Sequence, residues 1–159
     1  MFIYSIRAST LRFAGLMILS LALLTGVLVH ARADDVAVVS YQYHKIKTEE
    51  DRVAFLEQFG WKVKSKTPIE EQEFTIPKQF DRVMLGYNEI QKSQGLDLSR
   101  YQHKKVTRYT YEIDNYEGYE GKVYANLILY RDKVIGGDIC SAEASPGGFV
   151  HGFERQQTE

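Results

Sequence analysis

The chain has 159 residues, 44% of them apolar and 26% charged, with a net charge of −1 at pH 7 and one cysteine. Three Lys or Arg and no Asp or Glu precede residue 34, so residues 34–159 carry seventeen cations against twenty-one anions, a net −4. That balance argues against a nucleic-acid binder, the lone Cys140 rules out an internal disulfide, and the 126 residues from Asp34 onward suit one domain better than two.

Arg7 and Arg12 precede an uncharged apolar run, Phe13 to Val29, and the chain turns polar at His30. This is the layout of an export signal. The run of 17 residues spans about 26 Å as a helix, a little short of the ~30 Å hydrocarbon core, so it reads either as a long signal core or as a short anchor. Ala31-Arg32-Ala33 offers small residues for cleavage before Asp34. The positive-inside rule then leaves the N-terminus in the cytoplasm and everything after Asp34 outside, either secreted or on a single-pass anchor in the cell membrane.

Residues 34–47, with Val36, Val38, Val39, Tyr41 and Tyr43, read as a linker that leaves room for an edge strand. Thr48 then caps a helix whose first turn, Glu49, Glu50 and Asp51, carries the negative charge that a helix N-terminus favours. Val53, Phe55, Leu56 and Phe59 give it an apolar stripe, and Gly60 ends it. Trp61 to Lys64 alternates apolar and charged residues, which predicts a brief strand with Trp61 and Val63 pointing inward. Pro68 and the acidic group Glu70, Glu71 and Glu73 read as solvated connecting structure with at most one extended segment.

Pro77 suits the first turn of a second helix, along which Phe80, Val83, Met84, Tyr87 and Ile90 fall on one face. Gly95 stops it. From Lys105 the period changes to two, predicting strands over residues 105–113, 122–130, 134–140 and 149–153 joined by short turns, hence an antiparallel meander. The fold expected is α+β: two helices packed on one face of a mainly antiparallel sheet of four to five strands, preceded by one N-terminal hydrophobic helix. Residues 48–153 form the domain and 154–159 a polar tail. Gly136 and Gly137 inside a strand predict a large neighbour, Trp61 for instance, lying over the sheet.

The run Thr48 to Leu56, ending Phe59-Gly60-Trp61, resembles a bacterial family known only as a domain of unknown function, numbered 4830. So do Ile76-Pro77 with Phe80, the segment Gln91 to Leu98, and Val134 to Asp138 with Gly152-Phe153. The resemblance covers roughly residues 46–153 and implies a small, membrane-anchored or exported protein. It carries no activity with it.

Chemistry-bearing patterns are sparse. His30, His44, His103 and His151 show no metal-ligand spacing, no serine sits in a nucleophile elbow, and no metal or other cofactor is implied. The compositional excess is tyrosine, crowded into the C-terminal half. Rings with a hydrogen-bonding edge suit a binding surface, so the leading expectation is a non-enzymatic module that binds an envelope protein, peptide or glycan. Its contact surface is placed on the outer face of the sheet around Tyr109, Tyr111, Tyr124 and Tyr130, with Asp138 beside the glycines. The alternative is a small extracytoplasmic hydrolase or metal-assisted enzyme built from His103, His151, Asp138 or Glu112.

Overall fold

A computed structural model of the chain describes residues 40–143 and 147–155. The apolar run 13–29, the cleavage motif 31–33 and the expected hydrophobic helix lie outside the described residues, as does the polar tail from residue 156. Among the described residues no helix is long and apolar enough to cross a membrane.

The first helix, α1, spans Glu49–Glu57 and is set as its sequence predicts. The Thr48 hydroxyl accepts from the Asp51 N–H at 3.2 Å, and the Asp51 carboxylate accepts from the Thr48 N–H at 2.9 Å. Each group therefore satisfies a donor that the helix start would leave unpaired. Gly60, at φ +80°, takes the left-handed conformation that ends the turn and delivers Trp61 into the core.

Strands β1 (Glu70–Thr75), β2 (Lys105–Ile113), β3 (Val123–Tyr130), β4 (Lys133–Ser141) and β5 (Val150–His151) form one antiparallel sheet in sequence order. Helix α2 (Arg82–Ser93) and a short 3-10 helix (Leu98–Tyr101) come between β1 and β2. The acidic stretch Glu70 to Thr75 is thus the one extended segment allowed for it, and it pairs with β2 along its full length. The expected strand at residues 61–64 reduces to one bridge, Val63 with Ile113.

The two helices lie on opposite faces of the sheet, not together on one. Phe55 and Leu56 of α1 join Tyr111, Ile113, Val123, Ala125, Leu127, Leu129 and Ile139 in one core. Met84 and Tyr87 of α2 pack against a second, formed by Ile76, Leu98, Val106, Ile128 and Ile135. Side chains alternate along a strand, so Leu127 and Ile128 necessarily face opposite ways. Both faces of β3 carry apolar residues, and each needs its own cover.

Helix α2 is also turned from the orientation its apolar stripe suggests. Asn88 and Gln91 are buried while Val83 is 80% exposed. Backbone groups account for the turn. The Asn88 carboxamide oxygen accepts from the Leu98 N–H at 2.8 Å, and that of Gln91 accepts from the Gly137 N–H at 2.8 Å. Leaving those N–H groups buried and unpaired would cost about 1–3 kcal/mol each, comparable to what burying one valine returns.

The outer edge of β4 is covered by three separate pieces. At its start, Tyr43 accepts from the Val134 N–H at 2.9 Å and the Ile46 N–H donates to Asp132 at 2.9 Å, so residues 43–46 are part of the packed structure. At its end lies β5, pairing Ile139 with His151 and Cys140 with Val150. Between them the carboxamide of Gln94 fills the gap. Its nitrogen donates to the Gly137 carbonyl at 3.0 Å and its oxygen accepts from the Phe153 N–H at 2.7 Å, standing in for a ladder pair.

The paired glycines do sit under large neighbours, though Trp61 is not among them. A Cβ on Gly137 would come within 2.4 Å of the Phe153 ring and 2.2 Å of the Asn126 carbonyl oxygen. One on Gly136 would meet Leu98 at 2.9 Å and Gln91 at 3.1 Å.

Candidate functional site

The four tyrosines expected to share an outer surface are divided between the two faces of the sheet. Tyr109 and Tyr111 point toward α1. Tyr111 is only 1% exposed, and its hydroxyl accepts from Arg52 Nε at 2.8 Å. The same guanidinium lies 4.0 Å over the Tyr109 ring. Tyr124 and Tyr130 point to the α2 side, where Tyr130 meets Tyr101 at 5.6 Å between ring centres. No single aromatic patch results, because a sheet covered on both sides has no wholly outward face.

Asp138 is buried at the centre of a polar network under α2. It accepts from the Tyr87 hydroxyl at 2.6 Å and from Asn126 at 3.0 Å, while Asn126 accepts in turn from Thr110 at 2.8 Å. Burial, with the Asp138 charge beside it, pushes the Tyr87 hydroxyl well above its ordinary pKa. Burial and then the same charge push the Cys140 thiol up to about 12. At neutral pH that sulfur is protonated and a poor nucleophile. The network anchors α2 to the sheet and presents no activated group.

The residues of the enzymatic alternative are not gathered into one constellation. Glu112 is engaged by Lys64 at 2.7 Å, Asp138 by Tyr87 and Asn126, and His103 is exposed after the 3-10 helix. His151, opposite Ile139, belongs with the α1 face, whereas Asp138 and Glu112 point to the α2 side. Among the described residues no group of three His, Cys, Asp or Glu side chains is placed to hold a metal. Glu73 and Glu70 meet Lys105 at 2.6 Å and Arg108 at 3.6 Å across the strand pair.

An aromatic cluster does form, at the end of the sheet where the β2–β3 connection meets β5. The Tyr116 ring is held between two others, stacked on Trp61 at 5.6 Å and 3° and on Phe149 at 4.6 Å and 18°. Phe149 stacks on His151 at 5.6 Å, and Tyr119 meets Phe149 edge-on at 5.3 Å. Trp61 is buried, with its indole N–H donating to the Phe153 carbonyl at 2.6 Å, and Arg155 lies 4.8 Å over its ring. Tyr116, Tyr119 and Phe149 are half-buried.

Beside the cluster opens a cleft of about 230 Å³ lined by Ser93, Gln94, His151, Gly152, Glu154 and Arg155. His151 joins the two. It is 8% exposed, and burial lowers its pKa. The sequence offers His151 as a candidate functional residue, Tyr116 and Tyr119 only as part of the tyrosine excess, and Trp61 only as a core residue. The stacked rings come from positions 61, 116 and 149, which are far apart in the chain and have no common spacing. The available signal was one aromatic at each of three chain turns, Trp61 after α1, Tyr116 after β2 and Phe149 before β5.

The family model described as domain of unknown function DUF4830 matches residues 55–139, from the buried face of α1 through most of β4, and so takes in Trp61, Tyr116 and the network around Asp138. No curated protein and no solved structure matches the chain. With more than half of its length matched, the chain belongs to the DUF4830 family.

Proposed function

We propose that this protein is an exported or membrane-anchored extracytoplasmic domain that binds an envelope protein, peptide or glycan without catalysing a reaction, and that the aromatic end of its sheet is the contact surface. The apolar run behind Arg7 and Arg12 supports the address. One observation carries the binding reading: Tyr116, Tyr119 and Phe149 are half-buried residues whose rings are held by stacked and edge-on contacts, next to a polar cleft. Rings fixed in this way lose little conformational entropy when a ligand covers them, and their mixed polarity suits peptides and sugars alike.

The test is capture from envelope extracts on immobilised residues 34–159, run in parallel with a Tyr119→Ala/Phe149→Ala double variant and a Tyr130→Ala variant. A ligand retained by the parent and by Tyr130→Ala, and reduced tenfold or more by the double variant, is the expected result. Equal retention by all three contradicts the assignment of the surface. A reporter enzyme fused after Glu159 tests the address separately, and activity confined to the cytoplasm would contradict it.

A further inference from the structure

The hydrogen bonds of His151 fix its tautomer. Nδ1 lies 2.7 Å from the Gly152 carbonyl oxygen. A carbonyl only accepts, so Nδ1 carries the proton. In the neutral ring Nε2 is then a bare acceptor, and it lies 3.2 Å from the Tyr116 hydroxyl. That hydroxyl therefore donates inward, leaving the oxygen lone pairs as the group offered to solvent. Clamped between Trp61 and Phe149, the Tyr116 ring is not free to swing away, and only its O–H bond can turn.

We propose that His151 and Tyr116 form a proton-driven switch that reverses the hydrogen-bonding sense of the Tyr116 hydroxyl at the aromatic end of the sheet. A proton arriving on Nε2 converts that nitrogen from acceptor to donor. The Tyr116 oxygen must then accept from it, and the hydroxyl hydrogen turns outward. Above the midpoint the surface presents an acceptor at Tyr116; below it, a donor with an imidazolium behind. No heavy atom moves far, and the only exchange is one proton with solvent. The switch belongs to the folded domain and stands whether or not the aromatic end is a binding surface. If it is, the ligand's affinity changes with pH.

The groups around His151 temper the effect of its burial. Burial lowers its pKa from the ordinary 6.5, opposed in part by the Gly152 carbonyl and by the charge of Asp138 from β4. Glu154 and Arg155 line the cleft with it, and Arg155 is held toward the β2–β3 connection by the Asn115 carbonyl at 2.6 Å and Glu117 at 4.0 Å. The end of α2 contributes Ser93 and Gln94, neither of which titrates.

The experiment is a pH titration of the full chain labelled with 15N-histidine, read through long-range ring correlations, with the His151 signals assigned by their loss in a His151→Asn variant. At about pH 7.5 a protonated Nδ1 and a bare Nε2 are expected, with Nε2 becoming protonated below pH 6.5. Hydrogen bonds to a charged group are roughly twice as strong as neutral ones, so the hydroxyl favours imidazolium over imidazole. Tyr116→Phe should therefore lower the midpoint by roughly half a pH unit. A bare Nδ1 in the neutral ring would overturn the proposal. So would a midpoint that stays or rises in Tyr116→Phe, and if that variant fails to fold, the tautomer of the parent still decides.

Discussion

Replacing Trp61 by alanine probes the joint between the α1 core and the aromatic end. The side chain is 2% exposed, stacks on Tyr116, lies under Arg155 and satisfies the Phe153 carbonyl. Emptying a buried aromatic site costs about 3–5 kcal/mol. The upper half of that range is expected here, because the Phe153 carbonyl also loses its donor, a loss worth about 1–3 kcal/mol where no water replaces it. Trp61→Phe separates the two effects. It keeps most of the ring volume and should cost about 1–3 kcal/mol, chiefly the hydrogen bond. The assay is urea denaturation of residues 34–159 followed by far-UV circular dichroism, since Trp61 is the chain's only tryptophan and fluorescence would vanish with it. A loss below about 1 kcal/mol for Trp61→Ala, the size of a surface change, would refute the placement of the indole.

Three further outcomes follow from particular contacts. Gly137→Ala should prevent folding or cost more than about 3 kcal/mol, because its Cβ meets backbone, whereas Gly136→Ala meets flexible side-chain ends and should cost about 1–2 kcal/mol by the same denaturation. Cys140, with its thiol near pKa 12, should resist a disulfide reagent at neutral pH until denaturant opens the domain, and prompt labelling of the native chain would contradict this. Asp97 is held at about 2, first by the Ser99 hydroxyl and then by Asn88, against an ordinary 3.8. Its contribution to stability is therefore present above pH 3.8 and lost as pH falls toward 2. Between those limits the urea midpoint of Asp97→Ala should change less with pH than that of the parent.

Local chemistry was legible in the sequence, and assembly across the sheet was not. Thr48, Asp51 and Gly60 announce α1 because a capping box and a left-handed cap act within a few residues. The alternation of Thr107, Tyr109, Tyr111 and Ile113 likewise reveals β2 and the meander that follows it. Alternation leaves open which face each helix covers, so the split of Phe55 from Tyr87 across the sheet could not be read. The orientation of α2 was hidden for a related reason. Asn88 and Gln91 look like surface residues until Leu98 and Gly137 are known to need their oxygens. Gly136 and Gly137 correctly signalled close approach, but the approaching ring, Phe153, is set by the pairing of β4 with the chain end. The tyrosine excess was legible but its distribution was not, since strand register sends Tyr109 and Tyr111 to one face of the sheet and Tyr124 and Tyr130 to the other, while Tyr116 and Tyr119 lie in the β2–β3 connection.

The claim that the aromatic end is the contact surface is tested most directly by mapping backbone amide shifts of 15N-labelled residues 34–159 as a captured envelope ligand is added. Shifts concentrated at residues 115–121 and 149–155, with Tyr130 and β1 unmoved, are the predicted result. Shifts confined to β1 or the exposed side of α2, with Tyr116, Tyr119 and Phe149 silent, would contradict it.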